Sequence, residues 1–195
     1  PIFAPASIEG GNTYTLDISK SVYLDVNESD EIGLVFDDAG HVVFWDLASG
    51  SEKGRLDLER NVSRVKPVYP GGARYAVLDD AGGLNVLEAR YPISFVDDER
   101  RIGAGIDYLY SDQWIDIGKV RDYDVHLSGG TLSVAYINRR HLVLERYSDA
   151  EPGFDLEMPR KRELELERAY DRVLFGPRGQ SLYLLDDSGG VAVLE

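Results

Sequence analysis

No cysteine occurs among the 195 residues, and that absence removes disulfides, thiol catalysis and thiolate metal sites. It leaves the compartment open, because a cell-envelope domain can fold without cysteines. Basic residues are scarce beside acidic ones, 21 Lys and Arg against 35 Asp and Glu, for a net charge of −14. A nucleic-acid surface neutralises phosphates with cations, so this balance argues against a nucleic-acid partner. An anionic membrane surface and a free anion are repelled on average for the same reason, although a local basic pocket can override an average field. Long apolar runs are missing as well: none approaches the roughly 18 residues that a membrane-spanning helix needs. Nothing at the start reads as a signal peptide and the first residue is Pro1, so residues 1–195 are expected to be one domain excised from a longer membrane protein.

Histidine is the next shortage. His41, His126 and His141 are too few for most imidazole metal sites unless all three converge. His41 and His141 stand just after two turns, which favours strand-end residues with one hydrogen-bonded nitrogen. No GxxxxGK[ST] loop, strand–GxGxxG–helix unit, GxSxG elbow or HExxH pair is present. The expectation is therefore a protein with no catalytic, cofactor-binding or metal-binding residues, and not an enzyme.

What the sequence does contain is one phrase written three times. Residues 34–46 read LVFDDAGHVVFWD, residues 77–88 VLDDAGGLNVLE, and residues 184–195 LLDDSGGVAVLE. Apolar runs rich in Val, Leu, Phe and Tyr read as strands, and Asp-Asp-x-Gly between two of them is hairpin-turn chemistry. Aspartate tolerates unusual backbone angles and caps the turn, while glycine supplies the positive φ. Paired aspartates also suggest acid–base dyads or calcium ligands. Adjacent side chains in a hairpin point to different sides, however, so the turn reading is favoured. A degenerate fourth copy spans residues 132–146, LSVAYINRRHLVLER, with Asn138-Arg139-Arg140 at its turn.

The turns start at Asp37, Asp79, Asn138 and Asp186, at intervals of 42, 59 and 48 residues. A period above about 40 residues, several strands per period and no convincing helix predict an all-β fold of β-propeller-like (WD40/YVTN-like) blades. About four repeats are expected, over residues 27–58, 73–118, 123–157 and 168–195. They form a partial arc of a larger propeller, with two uncovered faces that call for a partner copy or further chain. One or two strands are expected over residues 14–26, and an outer strand at GRLDL (54–58). The longest interval is assigned to two long outer strands, 91–96 and 102–110, meeting at the charged turn 97–101. Residues 159–170, PRKRELELERAY, carry good helix formers. The strict alternation of residues 163–167 favours an exposed strand instead.

Trp45 ends a Phe-Trp-Asp strand resembling that of a WD-type blade and is expected to pack between blades. Tyr108, Tyr110 and Trp114 cluster in YLYSDQWIDIG, next to the long hairpin, and are the candidate interaction surface. Packing of the hairpin on its own neighbour is the equal alternative. Arg139-Arg140 and Arg160-Lys161-Arg162 are the dense basic spots and read as solvated turns.

The segment YPISFVDDERRIGAGIDYLY (residues 91–110) resembles the long outer hairpin in the extracytoplasmic domain of large bacterial phosphate ABC-transporter permease subunits. Other segments are similar in matching order. Pro1-Ile2-Phe3 resembles the residues just past the first membrane helix of that family. Residues 30–58, with EIGLVFDDAGHVVFWDLASGSEKGRLDL, resemble its first blade, and residues 168–195, with VLFGPRGQSLYLLDDSGGVAVLE, a later one. The resemblance implies a periplasmic accessory or regulatory domain of an inner-membrane phosphate permease, attached to the membrane through the parent chain. The family's transport residues lie in membrane helices and have no counterpart here. Because a charge of −14 repels phosphate, the implied role is protein contact. Its partners would be other transporter subunits, the periplasmic substrate-binding protein or a second copy. A stand-alone propeller scaffold for envelope protein assembly is the alternative, with a propeller enzyme such as a glycosidase or lactonase behind it.

Overall fold

The structure is a computed structural model, and it describes residues 20–68, 73–103, 105–110 and 113–195. The sequence expectations for Pro1-Ile2-Phe3 and residues 14–19 lie outside these. Every regular element among the described residues is a β-strand. The first sheet is a four-stranded meander of β1 (Ser21–Asn27), β2 (Ile32–Asp37), β3 (His41–Asp46) and β4 (Ser51–Asp57). The second begins with β5 (Val62–Pro67), β6 (Arg74–Asp79) and β7 (Gly83–Arg90). The chain then leaves the sheet as a separate hairpin of β8 (Ile93–Val96) and β9 (Glu99–Ile102). It returns beside β7 as β10 (Gly105–Tyr108), and the two-residue β11 (Ile115–Asp116) also pairs with β7. The third sheet is a meander of β12 (Asp122–Ser128), β13 (Thr131–Asn138), β14 (His141–Tyr147) and β15 (Arg160–Glu165). The fourth has three strands, β16 (Arg172–Phe175), β17 (Leu182–Leu185) and β18 (Val191–Leu194).

These are propeller blades, stacked face to face in chain order. One buried cluster, including Phe36, Phe44, Tyr75 and Val77, lies between the first and second sheets. A second, around Leu84, Tyr123, Val134 and Tyr147, lies between the second and third. A third, around Ile137, Leu142, Val173 and Leu184, lies between the third and fourth. Among the described residues no such cluster joins the fourth sheet to the first, and the ring is open.

The repeated Asp-Gly phrase is explained atom by atom. The first aspartate of each pair accepts the backbone N–H four residues on: His41 to Asp37 at 2.8 Å, Gly83 to Asp79 at 2.7 Å, and Gly190 to Asp186 at 2.7 Å. The glycine three residues after that aspartate sits at φ +90° in Gly40, +99° in Gly82 and +84° in Gly189, where a Cβ is strained. In the fourth copy Arg139 takes the left-handed place, at φ +59°. Each of the first three turns is then completed by the residue just past its own blade's last strand. Leu58 donates its N–H to the Gly40 carbonyl, Ile117 to that of Gly82, and Leu166 to that of Arg140.

Three expectations are corrected. The charged turn consists of Asp97 and Asp98 alone, both with positive φ (+53° and +64°), the geometry of a two-residue hairpin loop. The two long strands expected around it are instead a short excursion, because Glu99–Ile102 pairs with Ile93–Val96 and only Gly105–Tyr108 rejoins the blade. Arg160, Lys161 and Arg162 belong to strand β15 rather than to a turn. Trp45 is half-buried and lies on the face of β3 opposite Val42 and Phe44, turned away from the second blade.

Candidate interaction surfaces

Tyr108 is the last residue of β10 and Tyr110 and Trp114 lie beyond it, so the three go to different places. Tyr110 is 5% exposed and packs into the cluster between the second and third blades. Its hydroxyl is buried without a hydrogen-bond partner, and burial pushes its pKa up to about 12. Tyr108 and Trp114 stay half-buried against the cluster of the first two blades, edge to face with ring centres 6.4 Å apart. The Arg60 guanidinium stacks 4.5 Å from the centre of the Trp114 ring. Tyr110 is therefore withdrawn from the surface, and the other two form a small stacked edge.

Polar ties cross each seam between blades. Tyr75 donates to Asp25 at 2.6 Å across the first. Across the second, the buried Tyr123 hydroxyl donates to the Ala76 carbonyl at 2.9 Å, and Lys66 pairs with Asp122 at 2.8 Å. Across the third, Asp122 and Asp124 accept the N–H groups of Val173 and Phe175 at 3.1 and 2.6 Å, so side chains of β12 take the place of a strand partner for β16. The excursion β8–β9 folds back over the first blade. Arg100 binds Asp46 at 2.8 Å, Glu31 at 3.2 Å and the Asp30 carbonyl. Burial pushes the Asp46 carboxyl up, but the Ser49 hydroxyl, Arg100 and two backbone N–H groups outweigh it and hold the group below its ordinary value.

The glutamate most suggestive of chemistry is Glu145, 6% exposed. Its two oxygens accept the hydroxyls of Tyr136 at 2.9 Å and Tyr147 at 2.8 Å. Both tyrosines are held above their ordinary value, first by burial and then by this bond, which makes them poor proton donors. The arrangement satisfies a buried carboxylate. No group of three or more potential metal ligands occurs among the described residues.

Two further surfaces stand out among the described residues. The first is the outer face of the fourth blade, where Leu174, Tyr183, Val191 and Val193 are 40%, 37%, 57% and 51% exposed. Leu174 pairs with Tyr183 and Tyr183 with Val193 across the sheet, so three of the four form one continuous row. The second surface is a set of clefts lined by Arg146, two of them between the third and fourth blades and one along the outer strands of the third.

No protein-family model matches the chain, and no curated protein does. Solved structures do. The crystal structure of the Cps50 (Swd1) β-propeller domain of Myceliophteria thermophila is similar with a TM-score of 0.56 at 10% identity, covering 89% of this chain and 50% of that one. The computationally designed Ika4 protein follows at a TM-score of 0.49 and 10% identity, covering 95% and 93% of the two chains. The Nup133 β-propeller domain of Vanderwaltozyma polyspora has a TM-score of 0.46 at 11% identity, covering 91% and 56%. The chain spans half the length of the Cps50 domain. At 10% identity that likeness establishes the fold, a β-propeller arc, and nothing finer.

Proposed function

We propose that this chain is a non-catalytic accessory domain that works through protein contacts, on the periplasmic side of an inner-membrane phosphate ABC-transporter permease. An open propeller arc is a scaffold that presents sheet faces and loop edges to other proteins. The observation that carries the reading is the outer face of the fourth blade, a row of exposed apolar side chains at one end of the arc. Soluble proteins rarely leave such a row uncovered unless something packs there. The transporter assignment is supported by the order in which the blade segments and residues 91–110 resemble the family.

The parent reading frame separates this reading from the envelope-scaffold alternative. Transport-type membrane helices are expected downstream of residue 195. A lipoprotein signal before residue 1, with no transport helices in the gene, overturns the permease assignment. In the intact permease, a photo-reactive residue at position 193 is expected to cross-link to another part of the transporter or to its substrate-binding protein. Cross-linking only to lipid or to unrelated protein would overturn the contact role.

A further inference from the structure

Strand register places His126, Ser133, Arg146 and Arg160 in one row across the third blade: His126 opposite Ser133, Ser133 opposite Arg146, and Arg146 opposite Arg160. Alternation fixes the face, because Ala135 and Leu142 two and four residues from row members pack against the fourth blade. The row therefore opens into the seam between the third and fourth blades, where the β16–β17 loop adds Arg178. His126, Ser133, Arg146 and Arg178, with Thr131, line a cleft of about 370 Å³; Arg146 and Thr131 also border a second of about 390 Å³, together with Arg160 and Arg162.

The same row in the other blades is charge-compensated. Counting back from the hairpin turns, Arg146 occupies the place of Asp46 in the first blade and Glu88 in the second. Asp46 is neutralised by Arg100 and Lys53, and Glu88 by Arg74 and Arg90. In the third blade the charge is reversed and left uncompensated. Among the described residues, the guanidinium groups of Arg146, Arg160 and Arg178 pair with no carboxylate. Glu195 lines the smaller adjoining cleft with Arg146 and Arg162 but forms no ion pair with either. His126, 5% exposed, buries Nε2 with no hydrogen-bond partner. A buried ring nitrogen without a partner is rare enough to need an explanation.

We infer that this cleft is an oxyanion-binding site of phosphate class. Arg146 and Arg178 supply charge-assisted hydrogen bonds, with hydroxyls from Ser133 and Thr131 and the imidazole of His126 beside them. These are more donors than a single carboxylate accepts, and they suit a tetrahedral anion. The average field of a −14 protein opposes such a ligand, but the cleft sits between two blade walls, where nearby cations outweigh distant carboxylates. The inference rests on the row alone, and it stands or falls separately from the transporter reading.

Calorimetric titration of the 195-residue protein at low ionic strength tests it, with inorganic phosphate as one probe and glycerol 3-phosphate as the other. Saturable binding of inorganic phosphate assigns a free anion, and binding of glycerol 3-phosphate alone assigns a phosphate carried on a larger molecule. Arg146→Ala, on an exposed side chain, is expected to weaken either about tenfold or more with the melting temperature unchanged. Arg139→Ala, in the turn at the opposite end of the same hairpin, is expected to leave binding as it was. Absence of saturable binding by both probes overturns the site, as does binding equally retained in Arg146→Ala.

Discussion

The Tyr75 hydroxyl donates to Asp25 across 2.6 Å, tying the second strand of one blade to the innermost strand of the blade before it. Tyr75 is 3% exposed, and burial followed by this bond to Asp25 lifts its pKa far above the ordinary phenol value. The same ring packs against Tyr23 and Phe36, with centres 5.9 and 5.2 Å away. Tyr75→Phe keeps the packing and removes only the bond. It is expected to destabilise the protein by about 1–2 kcal/mol, lowering the melting temperature by roughly 2–8 °C in a calorimetric scan. A melting temperature equal to wild type would show that water replaces the bond at no cost.

The two aspartates of each turn are chemically unequal. Asp79 is 4% exposed, accepts N–H groups from Ala81 and Gly83, and pairs with Arg60 at 2.6 Å. Asp80 beside it is exposed. Asp79→Ala is expected to cost about 2–4 kcal/mol and Asp80→Ala less than about 0.5 kcal/mol, read from urea midpoints. Equal costs would contradict the capping account.

Glycine substitution separates a seated turn from a free one. A Cβ on Gly40 would lie 2.0 Å from the Arg60 carbonyl oxygen, whereas at Gly189 nothing stands within 4 Å. Both have positive φ, so Gly189→Ala bears the strain alone, about 1–2 kcal/mol. Gly40→Ala adds a backbone clash and is expected to cost about 3 kcal/mol or more. The comparison needs only two melting curves.

Acid should weaken the tie between the excursion β8–β9 and the first blade. The folded state holds the Asp46 carboxyl below its ordinary value of 3.8, so the folded protein binds fewer protons there than the unfolded chain. The stability this contributes is present above 3.8 and is lost as pH falls through the lower folded value. Wild type is expected to lose more stability than Asp46→Asn over that window, when both are followed by denaturant titration. Parallel losses would remove Asp46 from the acid response.

In the isolated chain, where no transporter subunit covers the exposed row on the fourth blade, that row is expected to drive self-association. Sedimentation at rising concentration is expected to show a dimer, with Val193→Asp returning it to monomer without loss of β-structure. A wild-type protein that stays monomeric at high concentration would exclude a second copy as the cover of this face.

The blades were legible because their signal is local. Asp37, Asp79 and Asp186 each sit a fixed four residues before the N–H they cap, so the device repeats as text. The alternation of Glu163, Leu164 and Glu165 marked β15 for the same reason. Trp45 was misjudged because alternation does not say which of two faces meets the next blade. The aromatic cluster was hard to judge because Leu109 and Tyr110 lie past the end of β10, where the chain turns inward and buries the tyrosine. The row His126–Ser133–Arg146–Arg160 was invisible for a different reason. Its members are separated by 7, 13 and 14 residues, and only the hairpin registers bring them side by side.

Val62, the first residue of β5, donates its N–H to the Asp38 carbonyl in the turn of the blade before it, and Tyr170, just ahead of β16, does the same at Arg139. Growth of such an array is consequently one-directional. A blade appended after the last leaves its forerunners untouched, whereas excising an internal one strips the finishing bond from whatever preceded it. Truncations from the two ends should then differ in severity, with loss from the interior the harsher of all.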